Sequence, residues 1–235
     1  ALINPIETPI PDSEFILSIE DFTTIPPSSD KAPDTRINTL RALPTSEGER
    51  LFIADLRGKI YEITSESPVV YLDVKNQLEG FIDQPGLGSG LGSFAFHPDF
   101  ENNGLLYTTH TEPSETKVAD FAVPEGAKSR LQWVLSEWKS DSPNEQTYER
   151  KRRELVRVDM VSQIHGFQEL TFNPNSKPNS PDYGLLYLGV GDGGAALAGY
   201  PELCGNSTHI WGSVLRIDPL GTNSKNGKYG IPKDN

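Results

Sequence analysis

Three times along the chain a short apolar segment ends in proline, turns, and gives way to a second apolar segment. Leu40-Arg41-Ala42-Leu43-Pro44 leads to Leu51-Phe52-Ile53-Ala54, and Phe94-Ala95-Phe96-His97-Pro98 leads to Leu105-Leu106-Tyr107-Thr108. The third copy runs from Leu170-Thr171-Phe172-Asn173-Pro174 to Leu185-Leu186-Tyr187-Leu188. Each copy closes on a stretch where apolar and polar residues largely alternate: 58–63, 153–158 and 212–217. Alternation with period two marks strands with one wet face. The opening strands are apolar and rich in small residues, which fits a crowded interior. Self-similar units of this kind signal a repeat architecture. A sheet apolar inside, polar at its last strand and repeated radially is a β-propeller blade.

The fold class read from this pattern is all-β, with units at about 37–70, 92–160 and 167–219. Residues 1–35 read as an N-terminal extension and a strand leading into the ring, and 36–235 as propeller. Residues 128–140 match both a helical face and strand alternation. The pattern is assigned to a strand, because the second blade otherwise lacks its third. Three blades do not close a ring, and an open half-ring leaves apolar blade faces bare. The expectation is therefore the N-terminal half of a longer protein, or one of two pieces that stay together.

Composition agrees and narrows the function. Gly (21) and Pro (19) are abundant among 235 residues, as many short strands with tight turns require. The net charge of −12 disfavours nucleic-acid and anionic membrane-surface partners. No apolar stretch approaches the ~20 residues needed to span a bilayer. The basic run Arg150-Lys151-Arg152-Arg153, flanked by Glu149 and Glu154, reads as a solvated strand edge. A single cysteine, Cys204, permits no intrachain disulfide and reads as inert. The Pro-rich start, Asn4 to Pro11, suits a mature N-terminus. Asn206-Ser207-Thr208 fits a glycosylation acceptor in a eukaryotic secretory setting.

Chemistry is expected where the third copy departs from the other two. Only there does a histidine, His165, stand just before the first strand, and only there does Gly191-Asp192-Gly193-Gly194 follow the second. A histidine ordinarily titrates near ~6.5, which suits a general base, and a carboxylate on its other nitrogen would fix the tautomer. Asp192 alone also suits a Gly-rich turn for its own backbone hydrogen bonds. Gly191 and Gly193 would leave room for a planar group, although turns explain them equally well. His97 lies in a structural Phe-His-Pro-Asp turn, and His110 and His209 read as ordinary loop residues. No Asp/Glu cluster has metal-ligand spacing.

At these residues the chain resembles the soluble quinoprotein glucose/sorbosone dehydrogenases, the aldose sugar dehydrogenase family. The matching phrases, in family order over about residues 36 to 235, are Arg50-Leu51-Phe52-Ile53-Ala54-Asp55 with Gly58-Lys59-Ile60; Phe94 to Phe100 with Asn103-Gly104-Leu105-Leu106-Tyr107; His165 with Leu170, Phe172 and Pro174; Gly191-Asp192-Gly193-Gly194; Val214 to Pro219; and Ile231 to Asn235. The resemblance implies a six-bladed propeller, about half of it in this chain. It implies pyrroloquinoline quinone (PQQ) held by Ca²⁺ at the top of the ring. It implies oxidation of a sugar's anomeric hydroxyl to a lactone, by hydride transfer to the quinone. His165 matches the family's catalytic base and Asp192 the aspartate that holds it. Where some members place a PQQ-contacting glutamine this chain has Gly88, and Gln84, four residues upstream, is the candidate substitute. The family's Ca²⁺ ligands belong to sequence beyond residue 235. Implied partners are a sugar substrate, an external electron acceptor and the rest of the propeller, in a periplasmic or secreted setting. Two other readings stay open: a non-catalytic recognition propeller, favoured by Gly88, and a metal-dependent lactonase on a similar propeller.

Overall fold

In the computed structural model, residues 14–85, 88–145, 148 and 151–235 are described. The Pro-rich start, Gly86, Leu87, Glu149 and Arg150 lie outside them. Three antiparallel sheets follow one another. The first takes β1 (Ile37–Thr45), β2 (Gly48–Asp55), β3 (Lys59–Ile63) and β4 (Pro68–Asp73) in chain order. The second takes β5 (Leu91–Phe96), β6 (Leu105–Pro113), β7 (Leu131–Lys139) and β8 (Lys151–Met160). The third takes β9 (Phe167–Phe172), β10 (Leu186–Val190) and β11 (Ser213–Ile217). Each sheet is a meander whose opening strand is innermost, as the repeat predicts. The ambiguous stretch is strand β7, paired along its whole length with β6 and β8.

Burial follows from what each sheet faces. The middle sheet lies between the other two, so β6 and β7 are buried at every position but the last. One core joins the first two sheets through Phe52, Tyr71, Phe94, Phe100, Leu106 and Trp138. Another joins the second and third through Tyr107, Trp133, Val158, Phe167, Leu188 and Trp211. The two outermost faces stay open. Leu40 and Val70 on the first sheet and Val214 on the third are exposed.

Several sequence expectations are corrected. Residues 14–35 carry no strand, so the strand expected to lead into the ring is not seen among the described residues. The alternating closing segments are not equivalent strands. Residues 58–63 and 212–217 fall on third strands, β3 and β11, whereas 153–158 falls on a fourth, β8. The first sheet runs on through β4 to Asp73. Nor is β8 wet on one face, because Leu155 to Val158 are buried. The basic run is only partly solvated. Arg152 Nε donates to Ser136 Oγ at 2.9 Å, and Arg153 makes a two-pronged bond to Glu137.

His110 is corrected as well. It is no loop residue but a fully buried member of β6. Its Nε2 lies 3.1 Å from Glu112 Oε1, and Phe81 stacks on the ring. Arg157 of β8, also fully buried, binds Glu112 and Glu154 at 2.8 Å each and Gln132 Oε1 at 2.7 Å. Burial pushes His110 below the usual histidine value, against the pull of Glu112. For Glu112, burial acts upward, but the bonds from His110 and Arg157 outweigh it and hold the carboxyl at about 2. Glu154 is likewise held at about 2, by Arg157 against burial.

These shifts give a signed pH dependence. An unfolded histidine takes up a proton near ~6.5 while buried His110 does so only at a lower pH, so stability falls as pH drops below that value. The two glutamates add stability that is present above their unfolded value, near ~4.3, and lost as pH falls toward 2. In the intact protein, His110→Gln is expected to flatten the loss of thermal midpoint between about pH 6.5 and 5 while keeping the steeper loss below about 4.5. An unchanged profile would contradict this. Arg157→Met, which leaves Glu112 and Glu154 without their buried cation, is expected to cost about 3–5 kcal/mol in denaturant unfolding.

Candidate active site at the mouth of the third sheet

The site lies where the third sheet meets the second. In the antiparallel pair β9–β10, Phe167 opposes Val190, so the loop entering β9 and the loop leaving β10 meet at one end. His165 is in the first loop and Asp192 in the second. Backbone bonds lace the loops together: Gly191 N–H donates to Gly166 O at 3.0 Å, and Gly193 N–H to His165 O at 2.9 Å. The lacing is close. A Cβ on Gly191 would lie 2.0 Å from His165 O, and one on Gly193 2.8 Å from Met160 Sδ. The space these two glycines leave is thus taken by the protein's own atoms. Their expected role as room for a cofactor gives way to internal packing.

His165 Nδ1 lies 2.8 Å from Asp192 Oδ1, and the same oxygen accepts from Gly194 N–H at 3.0 Å. The sequence-predicted pair is therefore brought into hydrogen-bond contact. Partial burial alone would raise the Asp192 carboxyl; the bonds from Gly194 and His165 outweigh it and hold the group below the ordinary carboxylate value. With the carboxylate ionised, the Nδ1–H tautomer satisfies the pair and leaves the Nε2 lone pair free. The imidazole is 60% exposed, so Nε2 is open to a ligand. The backbone of His165 has φ +54, in the left-handed region that non-glycine residues seldom occupy. Such conformations gather at functional sites, where surrounding structure holds them in place.

Gly88 stands at the same end, in the loop before β5. The three atoms nearest to a Cβ built there all belong to Gln168, with Nε2 at 2.8 Å. Gln168, the second residue of β9, donates from Nε2 to Gly88 O at 3.3 Å. The missing side chain at 88 is thus matched by an amide arriving from the third sheet. Sequence reasoning missed Gln168, although its place three residues after His165 on an innermost strand was a usable signal. Gln84 is exposed beside a cis bond to Pro85. Among the described residues, no hydrogen bond ties it to His165 or Gly88.

His97 is the structural turn residue expected: buried, its Nδ1 accepts from Asp99 N–H at 3.0 Å. Cys204 is a free, half-buried thiol. Among the described residues no group of three or more His, Cys, Asp or Glu could hold a metal ion. Nor is any described helix long and apolar enough to cross a membrane.

No family model matches the sequence. Human Hedgehog-interacting protein is 31% identical over 198 residues, 83% of this chain and 26% of that protein. The mouse protein is 31% identical over 189 residues, 79% of this chain and 25% of its own length. The chain thus spans about a quarter of the curated relatives it matches. Among solved structures, the soluble aldose sugar dehydrogenase of Escherichia coli in its apo form aligns with a TM-score of 0.56 at 15% identity, over 86% of this chain and 47% of that one. A glucose dehydrogenase aligns with a TM-score of 0.55 at 17% identity, over the same 86% and 47%. Meander sheets stacked face to face around their first strands agree with both. The chain is a three-sheet segment of a β-propeller of the glucose dehydrogenase type.

Proposed function

We propose that the protein containing this chain is a sugar dehydrogenase that oxidises the anomeric hydroxyl of an aldose to a lactone, outside the cytoplasm and with an external electron acceptor. The observation that carries the reading is the 2.8 Å pair of His165 and Asp192 with the ring open to solvent. Hydride leaves an alcohol carbon readily only if the hydroxyl proton leaves as well. His165 Nε2 is the atom that receives that proton. Asp192 holds the opposite nitrogen and stabilises the imidazolium that forms. The Gly194 amide fixes the carboxylate, and the laced loops fix both partners. A bound PQQ would supply the two-electron hydride acceptor.

A second reading is a recognition propeller without catalysis. It is favoured by the curated relatives, which are more similar in sequence than the dehydrogenases and are named for interaction with Hedgehog. Fold alone does not choose between the two.

Dye reduction by the intact protein, supplied with PQQ and Ca²⁺, separates them. Aldose-dependent reduction is expected, with His165→Ala lowering kcat/KM by at least about 100-fold. Asp192→Asn is expected to lower it less, since the imidazole remains but loses its charged orienter. A wild type that binds no PQQ in a fluorescence titration and oxidises no aldose would favour the recognition reading.

A further prediction concerns strain. A Cβ-bearing residue at positive φ costs on the order of 1 kcal/mol relative to glycine, and an exposed ion pair is worth less. His165→Gly is therefore expected to melt at or above the wild-type midpoint while losing activity. A midpoint lower by several degrees would make the imidazole a structural residue.

A further inference from the structure

Gln168 makes little use of its own amide. It is exposed, and its one hydrogen bond among the described residues, to Gly88 O, is long at 3.3 Å. Its Oε1 has no partner among the described residues, and an amide nitrogen has a second N–H to give. A side chain at position 88 would occupy the space where this amide sits, because a Cβ there would come within 2.8 Å of Nε2. The neighbouring Glu169 is already committed to Arg41. Gln168 therefore carries a spare donor and a spare acceptor on the innermost strand, three residues from His165. Over three residues the two Cα atoms are at most about 10 Å apart.

We infer that Gln168 is a sugar-binding residue, whose amide exchanges hydrogen bonds with a hydroxyl of the same sugar that presents its anomeric hydroxyl to His165. This rests on the sugar dehydrogenase reading. The chemistry fits: a sugar hydroxyl both donates and accepts, and an amide answers both on one rigid plane. Gly88 is the permissive partner, and its lack of a side chain is what lets the amide lie there.

The test is a saturation-transfer NMR titration of the intact protein with D-glucose, which reads binding without turnover. Gln168→Met keeps the bulk of the side chain and removes the amide. It is expected to weaken glucose binding about tenfold, the worth of a hydrogen bond whose loss strands a hydroxyl. The thermal midpoint should stay close to wild type, which a structural role would not allow. Transposing the amide, with Gln168→Gly and Gly88→Gln in one chain, is expected to recover affinity to within about threefold of wild type. Equal glucose affinity in wild type and Gln168→Met overturns the inference. So does a wild type that binds no sugar, which would also undo the dehydrogenase reading. If the wild type oxidises glucose, His165→Ala abolishes this and Gln168→Met changes neither affinity nor KM, the inference fails alone.

Discussion

The indole of Trp133 is the object around which the His165 end is built. It is buried on β7, yet it reaches the innermost strands of two sheets. A Cβ on Gly92 would lie 2.5 Å from its ring, and one on Gly166 1.8 Å from its Nε1. The tryptophan therefore requires glycine at both positions, and in return brings the start of β9 against β5. Phe167 O accepts from Thr109 Oγ1 at 2.7 Å, and Leu170 N–H donates to Ser93 Oγ at 3.1 Å, which fixes the register. His165 stands one residue before Gly166. Its placement follows from how the second and third sheets pack.

The fold was legible because the repeat carries its own check. Three copies of an apolar strand ending in proline, each followed by a second apolar strand, leave few architectures open, and β1, β5 and β9 fall where the copies begin. The closing strands were misread for a physical reason. Alternation describes a strand with one covered face, but Leu155 to Val158 of β8 are all buried, and the edge of β8 opposite β7 is paired by the inserted loop, whose Phe121 bridges to Val158. An insertion inside a repeat can thus bury a strand that the local pattern marks as wet.

The dyad was legible as a departure from the repeat: His165 and Asp192 occur only in the third copy, and they touch. What lies around them was not legible. Gly191 and Gly193 look in sequence like room for a ligand, and only coordinates show that room filled by His165 O and Met160. Gln168 is marked in sequence only by its place three residues after His165, because its meaning depends on Gly88, eighty residues away. His110, Glu112 and Arg157 were hidden for a similar reason. Charged residues on a strand read as wet until the strands bearing their partners are placed beside them, and here β6 and β8 bring the charges together inside the middle sheet.

The proposed chemistry turns on an oriented imidazole, with Nδ1–H held by Asp192 and Nε2 free to take a proton. The most direct measurement is the nitrogen–proton correlation spectrum of the intact protein with ¹⁵N-labelled histidine, at a pH where His165 is neutral. Wild-type His165 is expected in the Nδ1–H tautomer, with a shift toward a mixture in Asp192→Ala. A His165 signal in the Nε2–H form, or one indifferent to Asp192, would contradict it.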